Sequence, residues 1–237
     1  MPLNKESFDL AGVPCTYYAG EEAPAVLLIQ PADEHDLAVM DHEAALIAEG
    51  APLSFALAAF KVADWDHDLS PWPAPPVFGD EAFGDGAAQT LALIEDNLLP
   101  GLMNRMNLNP SIPVILGGYS LAGLFALWSA YQTDRFAAAA AVSPSVWFPD
   151  WLAYAKAHTP KAGAVYLSLG GREEKTRNPV MATVGKAIRE QHTVLKGQGV
   201  ATVLEWNPGN HFKDPDKRCA KGFGWCLQMI ADYLEEN

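Results

Sequence analysis

From residue 25 onward the chain alternates short apolar runs with longer stretches of helical spacing, and that alternation limits its fold more than any other feature. Residues 25–30 (AVLLIQ), 53–60, 114–119, 165–169 and 202–206 read as buried strands. Residues 40–49, 121–131, 149–157, 179–198 and 219–235 read as helices, as does 86–106, bent where Pro100 removes a helical donor. The alanine run at 137–143 favours helix by composition. Its place between a helix and the turn at Ser143-Pro144-Ser145 assigns it to a strand, and 8–18 adds one or two edge strands. Such βα alternation predicts an α/β fold: a mostly parallel central sheet covered by helices on both faces. With 237 residues, no linker and no internal repeat, a single domain over 1–237 with little or no lid is expected. Ligands of such sheets lie outside the carboxyl ends of the strands. The loops after Gln30, Phe60, Tyr119, Ser143, Leu169 and Trp206 are therefore the ones to search.

The loop after Tyr119 carries the clearest chemistry. In Gly118-Tyr119-Ser120-Leu121-Ala122-Gly123 a serine stands between a buried strand and a helix, with small residues two before and two after it. This is the layout of a nucleophile elbow, with alanine in place of the last glycine of G-x-S-x-G. The alternative is an ordinary strand-to-helix turn with a capping serine.

A serine hydroxyl needs a base, and the base needs an acid to hold its tautomer. Of six histidines, His42, His158 and His192 fall on or at the ends of helices, and His35 and His67 fall in early loops. His211, in Pro208-Gly209-Asn210-His211, follows the last strand, where the serine-acid-histidine order puts the base. The acid is sought after the preceding strand, where Glu173 and Glu174 both stand; Asp150 is a third candidate. For the oxyanion, one amide is expected from Leu121 and another from the loop Gln30-Pro31-Ala32-Asp33. Pro31 has no N–H, which leaves Ala32.

The stretch 118–127 resembles the G-x-S-x-G-G-L-F-A-L segment of the putative-esterase family of α/β hydrolases, which includes enterochelin esterases, esterase D and mycolyltransferases. Ser143-Pro144-Ser145-Val146-Trp147-Phe148 is similar to that family's Trp-containing loop, and Leu169-Gly170-Gly171-Arg172-Glu173 to its acid loop. The resemblance implies an α/β-hydrolase fold, a serine esterase, and a triad of Ser120, Glu173 and His211. It covers about residues 110–215 and departs at Ala122 and in lacking Asp-Gly after the first strand.

The long loop 61–83 is expected either to wall a pocket, with Trp65, Trp72 and Phe78 joined by Trp147, or to cover the sheet edge rigidly. Asp66, His67 and Asp68 are adjacent and cannot all face one ion, so no metal and no cofactor is expected. A formal charge of −13 excludes nucleic acid, and no run of ~18 apolar residues suggests a membrane span. Three scattered cysteines and a polar first ten residues predict a cytoplasmic protein. Lys61, Arg172, Lys213, Lys217 and Arg218 are dispersed, which argues against a strongly anionic iron-siderophore and for a neutral or modestly charged small ester. Thioester hydrolysis, acyl transfer and a non-catalytic binding protein are the rival functions; a peptidase is disfavoured because no propeller or other gating domain accompanies the core. No feature specifies a subunit partner.

Overall fold

The computed structural model describes residues 2–77 and 79–236. Phe78, expected at the pocket, lies outside the described residues. Among the described residues, eight strands form one sheet in the order β1-β2-β4-β3-β5-β6-β7-β8. β1 (Asn4–Leu10) and β2 (Val13–Ala19) make the predicted antiparallel edge, and β2 pairs antiparallel with β4 (Phe55–Lys61). From β4 onward, β3 (Val26–Ala32), β5 (Val114–Tyr119), β6 (Ala138–Val142), β7 (Ala164–Gly170) and β8 (Ala201–Asn207) run parallel. The fold is thus the expected α/β-hydrolase sheet. After β3 the chain moves one way to β4, and then returns past β3 to β5. The carboxyl end of β5 therefore lies at a topological switch point, where crevices form.

Helices α1 (Glu34–Gly50) and α8 (Pro215–Glu236) cover one face, where Met40, Ile47, Phe223 and Leu227 bury against Leu28, Leu57 and Val142. The short α2 (Trp65–Asp68), α3 (Ala87–Leu93) and α4 (Leu99–Arg105) join α5 (Leu121–Gln132), α6 (Trp151–Ala157) and α7 (Val184–Gly197) around the other core. Burying one such Phe or Leu side chain stabilises by about 1.5–3 kcal/mol. The alanines of β6 are all buried, and their small side chains let helices approach the middle of the sheet from both faces.

Of the places where the elements differ from the sequence reading, three have a clear local reason. α1 starts at Glu34 rather than 40, because Asp33 caps it: Asp33 Oδ1 accepts from the Asp36 amide at 2.8 Å, and Asp36 Oδ2 accepts from the Asp33 amide at 3.2 Å. His35 is consequently helical, and His67 lies in α2, so neither sits in an open loop. The bend before Pro100 is a π turn over Ile94–Leu98, in which the Leu99 amide reaches back to Ile94 O. α7 begins only at Val184, after a 3₁₀ turn at Met181–Thr183.

One buried group in the α1–α8 face conflicts with its surroundings. Glu43 is only 3% exposed, and among the described residues neither its Oε1 nor the buried Gln30 Oε1 has a hydrogen-bond partner. Burial, reinforced by the charges of Asp36 and Asp216, holds its carboxyl well above the ordinary carboxylate range. The fold therefore keeps a proton that the unfolded chain releases near its ordinary 4.5, so stability falls as pH rises above that value. Glu43→Gln should raise Tm at pH 8 by about 2–4 °C, the shift that ~1 kcal/mol produces in a chain of this size. The gain should shrink at pH 5; thermal unfolding that shows no gain at pH 8 would contradict the neutral buried carboxyl.

Candidate active site

Ser120 occupies the single residue between β5 and α5, at φ 58° and ψ −117°, a positive-φ conformation that strains a residue with a Cβ. The tight packing around this turn explains its small neighbours. A Cβ added at Gly118 would stand 2.6 Å from Ala122 Cβ, so the glycine is required and alanine fits at 122 because of it. The turn is pinned to β6 and the segment beyond it, the Ser120 amide donating to Val142 O at 3.0 Å and Ser120 O accepting from the Ser145 amide at 3.1 Å. As the first residue of α5, Leu121 has an amide with no acceptor inside the helix, at the positive end of the helix dipole.

Ser120, His211 and Glu173 meet. Ser120 Oγ lies 3.0 Å from His211 Nε2, and His211 Nδ1 lies 2.7 Å from Glu173 Oε2. An ionised Glu173 accepts only, so Nδ1 carries the proton and Nε2 is left to accept from the serine hydroxyl. Glu173 opens a 3₁₀ turn just past β7, and only 8% of it is exposed. Its Oε1 accepts from the Gly170 amide at 2.7 Å, Ser143 Oγ at 2.9 Å and Arg218 Nη1 at 2.9 Å. Burial pushes this carboxyl upward, but hydrogen bonds from His211, Gly170 and Ser143 outweigh it and hold the group below its ordinary value. Gly170 has to be glycine, since a Cβ there would meet Gly209 O at 2.7 Å and Glu173 Oε1 at 2.8 Å. Gly209 takes φ 96°, which brings the His211 loop back over the sheet. Glu174 points elsewhere, pairing with Arg189 at 3.1 Å, and Asp150 stands at the start of α6.

Two residues to which the sequence reading gave no part in the triad, Arg218 and Tyr119, complete the support. Arg218, first taken for a cation at the mouth, is 2% exposed. Its guanidinium also reaches Tyr119 OH at 2.9 Å, Pro208 O at 3.0 Å and Asn210 O at 2.8 Å, while Tyr119 OH donates to His211 O at 2.7 Å. Their only sequence signal is an arginine amid the apolar face of α8. Lys61 pairs with Glu34 and Lys217 with Asp214, so of the five cations named only Arg172 lines the cleft.

The cleft over Ser120 has two arms. One, of about 420 Å³, is lined by Arg172, Lys175, Asn210 and Glu173 among others. The other, of about 480 Å³, is lined by Trp65, Asp66, Phe83, Leu121 and Ser145 among others. Trp147, Met181, His211 and Phe212 border both. Trp65 and Trp147 line the cleft, whereas Trp72 lines neither arm. Its Nε1 donates to Pro149 O at 3.0 Å and its ring packs with Trp151 and Tyr154. Trp72 anchors the 61–83 loop instead, which is thus both wall and cover. Ala32 also departs from expectation. No loop exists at 30–33: β3 runs through Ala32, which is fully buried and lines neither arm, and the Asp33 cap starts α1 at once.

Comparison with known proteins gives the family and the fold. The family model described as "Putative esterase" matches residues 13–211, most of the chain. The chain belongs to that esterase family. It is, accordingly, a carboxylic ester hydrolase. The esterase is similar in structure to an IroE-like serine hydrolase from Shewanella oneidensis, with a TM-score of 0.76 at 18% identity over 97% of this chain and 81% of that one. It is also similar to the siderophore hydrolase EstB from Aspergillus nidulans, at TM-score 0.73 and 17% identity over 95% and 96% of the two chains. The enterobactin esterase FES from Shigella flexneri superposes with TM-score 0.69 at 16% identity, over 97% of this esterase and 60% of that chain. At such identities these likenesses establish the fold. No curated protein matches the esterase in sequence. Among the described residues no helix is long and apolar enough to cross a membrane.

Proposed function

We propose that this esterase cleaves a carboxylic ester of a small molecule through an acyl-enzyme at Ser120, with residues 1–237 acting as one α/β-hydrolase domain. Ser120 Oγ attacks the ester carbonyl carbon while His211 Nε2 takes the hydroxyl proton. The bond to the alcohol oxygen then breaks, and His211 returns the proton to that oxygen. Water attacks the acyl-serine with His211 again as base, releasing the carboxylic acid and restoring the serine. Glu173 holds His211 in the required tautomer and offsets the charge of the imidazolium. The Leu121 amide donates to the oxyanion; losing one such donor typically costs on the order of 10²–10³ in turnover.

The observation that carries this reading is one unbroken hydrogen-bond chain, Ser120 to His211 at 3.0 Å and His211 to Glu173 at 2.7 Å, opening on a cleft. Its test is covalent labelling with a fluorophosphonate followed by peptide mapping. The label should sit on Ser120 alone, and the His211→Ala variant should take it up far more slowly. Modification at any other serine, or none in folded protein, would overturn the assignment.

A further inference from the structure

The two arms of the cleft differ in charge as well as in shape, and the difference points to a substrate class. In a chain of net charge −13, Arg172 and Lys175 are exposed in the arm beside Glu173 and Asn210, and among the described residues neither has an ion-pair partner within 4 Å. The two carboxylates between them in sequence are already committed: Glu173 to Arg218 and His211, Glu174 to Arg189. The opposite arm offers Trp65, Phe83 and Leu121, together with Asp66, a carboxyl that burial and then Asp64 and Glu81 push upward. An anion entering that arm would meet flat apolar surface and a like charge.

We propose that the cleft selects esters whose alcohol half carries a carboxylate, an ester of a hydroxy acid, with the carboxylate bound by Arg172 and Lys175 and an aromatic or other apolar acyl group in the Trp65–Phe83 arm. This rests on the acyl-enzyme reading above and deepens it. The leaving oxygen must face His211, which returns its proton; His211 borders both arms, but only the cationic one also holds its partner Glu173 and its neighbour Asn210. The oxyanion donor Leu121 borders the apolar arm, which places the acyl carbonyl there. A guanidinium fork suits a carboxylate, and the ammonium three residues on adds a second charge. Arms of about 420 and 480 Å³ fit a compact ester rather than a macrocycle.

The test compares O-benzoylglycolate with its neutral partner O-benzoylglycolamide, reading benzoate release, in the wild type and in the Arg172→Gln/Lys175→Gln double variant. The wild type should favour the anionic ester in kcat/KM by about tenfold, the low end for a charge-assisted hydrogen bond, as befits exposed cations. The preference should weaken as salt is raised, and should fall toward one in the double variant. Because the ratio is read, a loss common to both esters cancels. A second pair with the charge on the acyl side, phenyl hydrogen glutarate and its monoamide, should show no such preference. A wild-type ratio near one, a ratio that survives in the double variant, or a preference confined to the acyl-side pair would overturn the proposal while leaving Ser120 labelling intact. Absence of both turnover and labelling would remove the hydrolase reading and this proposal together.

Discussion

Ser120→Ala should reduce kcat for a responsive ester by on the order of 10⁶, because a triad works as a unit and removing its nucleophile forfeits nearly all that the other members contribute. His211→Ala should cost about as much. The double variant should be little worse than either, since the imidazole has no proton to take once the hydroxyl is gone. Stability should move far less than activity. Ser120 sits at φ 58°, where any Cβ is strained, and alanine keeps that Cβ while losing only the hydroxyl. Ser120→Gly should relax the turn and raise Tm slightly while being equally inactive. Turnover within tenfold of wild type in Ser120→Ala, measured on material cleared of contaminating esterases, would mean that the 3.0 Å contact with His211 plays no part in the reaction.

What the sequence revealed and what it hid follow from the range of the interactions involved. Strands and the serine turn were legible because they depend on neighbours: an apolar run, a glycine at 118, small residues at 122 and 123. The order of the three chemical groups was legible because parallel βα units place successive loops at the same sheet end. Glu173 over Glu174 was legible through the family resemblance and not from neighbours, since adjacent residues point apart and only the turn after β7 decides which one faces His211. Trp72 was misplaced for a related reason. A tryptophan in a proline-rich loop serves a pocket or a core equally well, and its partners Trp151 and Tyr154 lie some eighty residues on. Arg218 was read as a cation near the cleft because arginines mostly are exposed; its burial depends on five acceptors drawn from β5, Ser143 just past β6, the acid turn and the histidine loop. The Ala32 loop failed on a local signal that was present, the Asp33-x-x-Asp36 cap.

The largest effect outside the triad should come from Arg218, which touches no substrate and acts as a positioning residue. Its guanidinium joins Glu173 to the carbonyls of Pro208 and Asn210, on either side of Gly209, and through Tyr119 to the carbonyl of His211. One side chain thus fixes both the acid and the backbone that carries the base. Arg218→Met would leave a buried carboxylate short of its cation, which costs about 3–5 kcal/mol of stability when one partner of a buried pair is removed. The groups facing Glu173 are then His211, Ser143 and the Gly170 amide, with Tyr119 on the arginine's former side and Arg172 and Lys175 exposed in the same arm of the cleft. Losing a cation favours protonation, so Glu173 should protonate at higher pH, and the acid limb of kcat/KM should move upward with it. Arg218→Lys keeps the charge but cannot reach all these acceptors at once. It should retain the wild-type acid limb while kcat falls and KM changes little, because the histidine loop is held less firmly. That split separates electrostatic support from mere packing: a purely structural role would lower activity in both variants without moving the limb in either. Wild-type kcat and an unmoved limb in a folded Arg218→Met protein would leave the arginine with no part in positioning the triad.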